Sequence, residues 1–305
     1  MKDQIASTLS IFLEKIGYSL PIVSTEHTRR VREALNEDYI YFQDHPQFTG
    51  WFDRTCTVSV GLALMAYPEC DYEVQVYVAR YTVFTIYFDD MTHITPTTLG
   101  AFQKKLFLND LNSDTMAAFR RLLVDAYHLW DGIPANSIVN SSMDFLTGCA
   151  MEADAGIQAM KVHEMAASWP EFLREKTGIA SAYSFMVFPR SSPLPSYIQI
   201  IGDANRFIEL TNDILSFYKE YLAGETQNYI SNRAFVLGQS QLQTFQDAAE
   251  QVLRIHDRIC SVLKGPELVA WKEFKNGYIA FHVIAKRYRL SEILPSGKCD
   301  IIELQ

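Results

Sequence analysis

Glycine and proline are scarce in this chain, at 14 and 11 among 305 residues. The long segments they leave uninterrupted carry apolar residues mostly at helical spacing. The five cysteines, Cys56, Cys70, Cys149, Cys260 and Cys299, are odd in number and include no CxxC pair. That argues against a disulfide framework or a zinc site and for reduced thiols in the cytoplasm. Basic charge is also lacking. A formal net charge of −9 argues against a nucleic-acid partner, because phosphate backbones call for a basic surface. The N-terminal stretch MKDQIASTLSIFLEKIGYSL has no uninterrupted apolar core of the kind a signal peptide needs. No apolar run reaches the 18 residues of a membrane-spanning helix, so a soluble cytoplasmic protein is expected. What is present is a composition 48% hydrophobic and 13% aromatic, enough to fill a large core and leave aromatic residues for a pocket.

The pattern predicts an all-α protein. Residues 24–42 read as an exposed amphipathic helix with Val31, Leu35 and Tyr39 stacked at i, i+4, i+8. Residues 51–66 and 70–88 read as strongly apolar helices separated by Tyr67-Pro68. Another covers 113–129. A break at 131–134 precedes a long helix running toward residue 159. A segment at 171–177 stops at Gly178, and Pro189, Pro193 and Pro195 mark a loop before a helix over 196–224. Two long helices, 239–263 and 266–288, complete the series. The run VFTIYF at 83–88 is β-branched and aromatic, but it continues a helical pattern with no hairpin turn beside it. With no internal repeat, low-complexity tract or linker, one domain over 1–305 is the economical reading.

Four constellations carry chemistry. In NDILSFYKE (212–220), Asn212, Ser216 and Glu220 lie at i, i+4 and i+8, so on a helix their directions span only about 80°. An amide oxygen, a hydroxyl and a carboxylate then project in one line, a set of hard oxygen donors suited to magnesium. Alone, the pattern reads equally as a solvated polar face. The apolar Ile214, Leu215 and Phe217 around it argue for burial, and a buried polar stripe needs partners. Lys219 returns to almost the direction of Asn212 and can reach a phosphate oxygen. The second constellation is FDDMTH (88–93), where adjacent carboxylates end an apolar helix. Acids there oppose the helix dipole and repel one another unless a cation neutralises them. Asp89 suits metal binding; Asp90, about 100° away on a helix, suits pairing with a basic group. The third is KRYR (286–289), and the fourth REKTG (174–178), a basic turn ending at a helix-stop glycine. Either alone reads as an ordinary basic helix end.

Together these segments resemble class I terpene cyclases, most closely the trichodiene-synthase type, which carries similar ND-x-x-S-F-Y-K-E and R-Y-R segments. FDDMTH is similar to the aspartate-rich motif, NDILSFYKE to the NSE motif, and Arg287-Tyr288 to the C-terminal RY pair. From Asp89 to Asn212 is 123 positions, and from Asn212 to Arg287 is 75, in the order and spacing of that family over most of the chain. The resemblance implies a single-domain helical bundle around a central apolar cavity and a magnesium-dependent lyase acting on an isoprenyl diphosphate. It makes Asp89 a ligand of two magnesium ions, and Asn212, Ser216 and Glu220 ligands of a third. Arg174 becomes the diphosphate-sensing arginine, with Thr177 and Gly178 completing the helix-break triad. Lys219, Arg287 and Tyr288 would hold the diphosphate beside Asp90, and Tyr278 resembles a pocket tyrosine of the family. His93 stands where the last acid of a full DDxxD motif would be and is left out of the metal set. Phe84, Tyr87 and Phe88, within about a turn of the acidic pair, are expected to face the hydrocarbon. Farnesyl diphosphate is the implied substrate ahead of geranyl diphosphate. A chain-elongating synthase, which carries an aspartate-rich motif in both metal positions, and an inactive helical interaction protein are the competing readings. The sequence leaves a homodimer open.

Overall fold

A computed structural model of the protein describes residues 1–92, 100–108, 110, 111 and 113–295. Among these, every regular element is helical. The chain runs through α1 (Lys2–Lys15), α2 (Thr25–Ala34), α3 (Phe48–Ala66) and α4 (Tyr72–Met91). It continues through α5 (Phe102–Leu108), α6 (Asp114–Leu129), α7 (Gly132–Ala153) and the short α8 (Ala155–Ala159). Next come α9 (Trp169–Thr177) and α10 (Ala180–Met186), then the long α11 (Ile201–Ala223). The last are α12 (Tyr229–Leu237), α13 (Gln241–Val262) and α14 (Gly265–Ile284), followed by the 3-10 turns Lys286–Tyr288 and Leu290–Glu292. Among the described residues no helix is long and apolar enough to cross a membrane.

The central elements are those whose sequence is apolar all round, because such a helix must be enclosed on every side. In α4 the buried residues run from Val74 to Met91 on every face. Asp71 caps this helix by accepting from the Val74 backbone N–H at 3.1 Å. It packs on α3, which in turn lies along α14. The α3–α14 crossing is tight for a specific reason. A Cβ on Gly277 would stand 1.9 Å from the carbonyl oxygen of Met65, so the two backbones touch where only glycine fits. On the other side, α11 is flanked by α13 and α10. It stops at Gly224, whose φ of 71° places it in the left-handed region that ends a helix.

The expected helix over 24–42 is shorter than the periodicity suggested. It ends at Ala34 and tightens into a 3-10 turn, Asn36–Phe42. The change of pitch from 3.6 to 3.0 residues per turn rotates Tyr39 out of the stripe, so Val31 and Leu35 are buried while Tyr39 is 47% exposed. Likewise the segment expected as one helix over 196–224 opens with 3-10 turns at Leu194–Ser196 and Ile198–Ile200 before α11 begins.

Candidate active site

One cavity of about 830 Å³ collects residues from the ends of α4, α7, α9, α11 and α14 and from the turn after α14. From α4 it takes Thr82, Thr85, Ile86 and Asp89, the i, i+3, i+4, i+7 face of that helix. From α11 it takes Asn212, Asp213, Ser216, Lys219 and Glu220. Arg174, Thr177, Gly178, Tyr278, Arg287 and Tyr288 also line it. Residues as far apart in sequence as Asp89 and Tyr288 are therefore brought to one space. Its walls are mixed, not apolar throughout, for Leu62, Phe145, Ile179 and Phe281 share them with these polar groups.

Arg174 is the electrostatic centre of the polar part. Its Nε donates to Asp213 Oδ1 at 2.8 Å, and one terminal nitrogen donates to Asn212 Oδ1 at 3.1 Å and to the Glu209 carbonyl at 3.2 Å. Burial works against its charge, but Asp213 and Glu209 outweigh it and hold the guanidinium above its ordinary range. Burial pushes the Asp213 carboxyl up to about 7 against the pull of Arg174, and Glu220 and Glu209 add to the push. Asp213 Oδ2 is buried with no hydrogen-bond partner in the protein, so acceptor capacity is stored beside the stripe. Glu220 is likewise raised by burial, opposed by Lys219, whose Nζ donates to Glu220 Oε1 at 3.1 Å.

The break after α9 is shaped by a glycine with no room for more. A Cβ on Gly178 would lie 2.8 Å from the Arg174 carbonyl oxygen and 3.0 Å from Glu209 Cγ. Ile179 follows in the left-handed region at φ 48°, a conformation that disfavours a β-branched residue by roughly 1–2 kcal/mol and that no sequence signal announces. At the other rim the Arg287 guanidinium lies 5.5 Å from the Tyr288 ring centroid. Its charge is favoured first by Tyr288, against burial, and further by Asp89 and Asp90. The Tyr288 ring is buried against His282 and Phe281, at 4.6 and 6.0 Å between centroids.

Several sequence-predicted residues are not in this cavity. Asp90 turns away from it and accepts from Trp51 Nε1 at 2.7 Å, with His45 at 3.8 Å. Phe84, Tyr87 and Phe88 are buried elsewhere. Phe84 packs on Phe42 at 4.9 Å, Phe88 on Phe119 at 4.8 Å, and the Tyr87 hydroxyl donates to Asp44 at 2.8 Å. The reason is rotational. At about 100° per residue, positions five, two and one before Asp89 point well away from it, whereas 82, 85 and 86 share its face. The aromatic residues that do line the cavity are Phe145, Tyr183, Tyr229, Tyr278, Phe281 and Tyr288. His93 lies outside the described residues.

Glu152, on α7, lines the cavity although no motif or periodicity singles it out. It keeps contact with solvent, yet surrounding protein and then the charge of Asp89 push its carboxyl up to about 7. Nor did sequence alone point to the hydroxyl cluster of Tyr183, Thr82 and Thr85, with oxygens 3.0 and 3.3 Å apart. The donors facing the cavity from Asp89 and the α11 stripe are oxygens, the chemistry magnesium prefers. No group of three or more His, Cys, Asp or Glu side chains among the described residues converges on one point to hold a metal.

Known proteins share this fold. Among solved structures, linalool/nerolidol synthase from Streptomyces clavuligerus aligns at a TM-score of 0.60 and 13% identity, over 87% of this chain and 99% of that one. At that identity the likeness shows a shared fold. Terpene synthase BipA of Cochliobolus sativus is 29% identical over 294 residues, covering 94% of this chain and 90% of its own length. Alpha-cuprenene synthase COP6 of Coprinopsis cinerea is 33% identical over 253 residues, covering 82% and 77%. Fold and relatives together define a terpene synthase, an enzyme of the lyase class. Residues 50–301 match the family described as Trichodiene synthase (TRI5), and the chain belongs to that family.

Proposed function

We propose that this enzyme is a magnesium-dependent sesquiterpene cyclase that ionises farnesyl diphosphate and closes the resulting cation into a cyclic hydrocarbon. The observation that supports this most is the meeting, in one cavity, of Asp89 and the Asn212–Ser216–Glu220 stripe with Arg174, Lys219, Arg287 and Tyr288. Three magnesium ions are proposed; Asn212, Ser216 and Glu220 would hold one, and Asp89 would hold the other two. Bound there, they would act as Lewis acids that stabilise the charge of the departing diphosphate.

The protein's own groups divide the remaining work. Arg174, Lys219 and Arg287 offer cationic donors and Tyr288 a phenolic one, which together would orient the diphosphate and stabilise it as the C–O bond breaks with its electron pair. The hydrocarbon would lie against Leu62, Ile86, Phe145, Ile179 and Phe281, which exclude water that would trap the allylic cation. The faces of Phe145, Tyr183, Tyr278 and Phe281 can stabilise positive charge without forming a bond to it. An alkene π pair of the substrate then closes the ring, and loss of a proton gives the neutral product. We place this activity in a single cytoplasmic domain. The buried free thiols Cys56, Cys70 and Cys149 support a reducing compartment.

The deciding experiment incubates the purified protein with magnesium and either farnesyl or geranyl diphosphate, with a chelator control, and follows released diphosphate and extracted hydrocarbon. Cyclic fifteen-carbon products dependent on magnesium are expected. A longer prenyl diphosphate as product, or no diphosphate release, would overturn the proposal.

A further inference from the structure

His282 belongs to none of the motifs above, yet it is fully buried behind the α11 stripe. Its ring is held on three sides, with Tyr278, Phe281 and Tyr288 centroids at 4.7, 5.0 and 4.6 Å. Its Nδ1 lies 2.8 Å from the Tyr278 carbonyl oxygen, and its Nε2 lies 3.0 Å from the side-chain nitrogen of Asn212. The Asn212 amide oxygen lies on the other side, 3.1 Å from a terminal nitrogen of Arg174.

The two ends of this chain of hydrogen bonds fix every proton within it. A carbonyl oxygen can only accept, so Nδ1 of His282 must carry a hydrogen. A guanidinium can only donate, so the Asn212 atom facing Arg174 must be the amide oxygen. The atom facing His282 is then the NH₂ group, a donor, and Nε2 must meet it with a lone pair. His282 is therefore the neutral Nδ1–H tautomer. Were the amide turned over, its NH₂ would face the guanidinium, donor against donor, and its oxygen would face an imidazole lone pair.

We infer that His282 is a positioning residue, which holds the amide of Asn212 so that its oxygen and not its nitrogen faces the cavity. The inference rests on the reading of Asn212 as a magnesium ligand. Arg174 can hold the amide only while it points at Asn212. Once the guanidinium turns to an anion, the His282 contact alone keeps the oxygen forward. The same arrangement accounts for asparagine at this position in this chain. Aspartate could make this contact only if the buried His282 ring took up a second proton, which asparagine does not require.

Two measurements test this. Nitrogen-15 shifts of the His282 ring in the wild-type protein should show a protonated Nδ1 and an unprotonated Nε2 at neutral pH; the opposite tautomer or an imidazolium would overturn the inference. Calorimetry of inorganic diphosphate binding across a magnesium series then reads the consequence. His282→Phe, which cannot accept, should raise the magnesium concentration needed for half-maximal binding roughly 10–100-fold, the usual effect of removing a partner that orients a metal ligand. His282→Gln keeps an acceptor and a donor and should return it to within about threefold. Melting in a chelator identifies a variant that fails to fold, in which case the tautomer decides. An unchanged magnesium requirement in folded His282→Phe would refute the positioning role. Asn212→Ala separates the two levels of the argument. If it leaves the magnesium requirement unchanged, the assignment of Asn212 as a ligand fails, and the positioning role falls with it; the tautomer result would stand.

Discussion

Gly277 offers a direct test of how the scaffold holds its site. An added methyl there would stand 1.9 Å from the Met65 oxygen, 2.1 Å from its carbonyl carbon and 2.4 Å from the Ala66 nitrogen. All three are backbone atoms of α3, so no side chain can swing aside. To restore ordinary contact, α14 must retreat by about 1 Å or more, and a gap of that size forfeits a quarter to a half of the dispersion contact along the seam. Overpacking alone costs about 1–3 kcal/mol. With the lost contacts, Gly277→Ala should destabilise by about 3 kcal/mol or more, a large share of the 5–15 kcal/mol typical of a folded protein. Gly202 supplies the control, because it also lies in a helix but a Cβ there meets nothing within 4 Å. Gly202→Ala should stabilise by about 0.5–1 kcal/mol through reduced backbone entropy of the unfolded chain. Thermal melting of the two variants should thus move in opposite directions, by roughly 5–10 °C downward and 1–3 °C upward. A Gly277→Ala protein melting with the wild type would show that the crossing is looser than described and refute the reasoning.

Other perturbations follow from the same contacts. Glu220→Gln and Asp89→Asn should each reduce diphosphate release at least tenfold while leaving the far-ultraviolet circular dichroism unchanged; full turnover would remove those residues from the site. Arg174→Ala should destabilise by about 1–3 kcal/mol by leaving buried acceptors on Asp213 and Asn212 without their donor, and adding Asp213→Asn should recover part of that in urea unfolding. If the double variant is less stable than the single, the buried pair is not the cause. Acid should unfold the protein through its buried imidazoles. Burial, helped by the nearby Lys275 charge, lowers His256 to about 4, whereas an unfolded histidine titrates near 6.5. A proton therefore binds the unfolded state more tightly, and the stabilisation is complete above about pH 6.5 and lost as pH falls toward 4. His256→Gln, which can still accept from Trp271 Nε1 at 3.2 Å, should flatten the melting temperature over that window. An unaltered slope would place the acid sensitivity elsewhere.

The parts of this molecule legible from sequence are those written in local periodicity. Residues 51–66 and 70–88 showed as apolar helices because most of α4 and the second half of α3 are buried. The α11 stripe showed because its polar groups recur every four residues among buried Ile214, Leu215 and Phe217. Proximity along the chain was a poor guide to the cavity wall, since Phe84, Tyr87 and Phe88 leave α4 in other directions than Asp89. Roles that arise only when distant segments meet left no trace. His282 becomes informative through its contact with Asn212, 70 positions away, and Glu152 through the charge of Asp89, 63 positions away. The left-handed Ile179 is imposed by its surroundings against its own preference. Short helices such as α10 and α12 fell below the length at which periodicity is distinctive.

On the proposed reading of Asn212 as a magnesium ligand, the contact between Arg174 and the Asn212 oxygen would set an order of events at the site. That oxygen already accepts from the enzyme's own cation, so a metal arriving by itself would share it with a like-charged guanidinium held by Asp213 on its other edge. An anion arriving with the metal gives Arg174 somewhere else to go and releases the oxygen. The two ligands are then thermodynamically coupled, and by reciprocity each strengthens the other by the same factor. The enzyme would be nearly blind to magnesium without diphosphate and to diphosphate without magnesium, a logical AND built from one arginine. Titrating magnesium into the protein with and without diphosphate reads that coupling, and equal affinities would show that it does not exist.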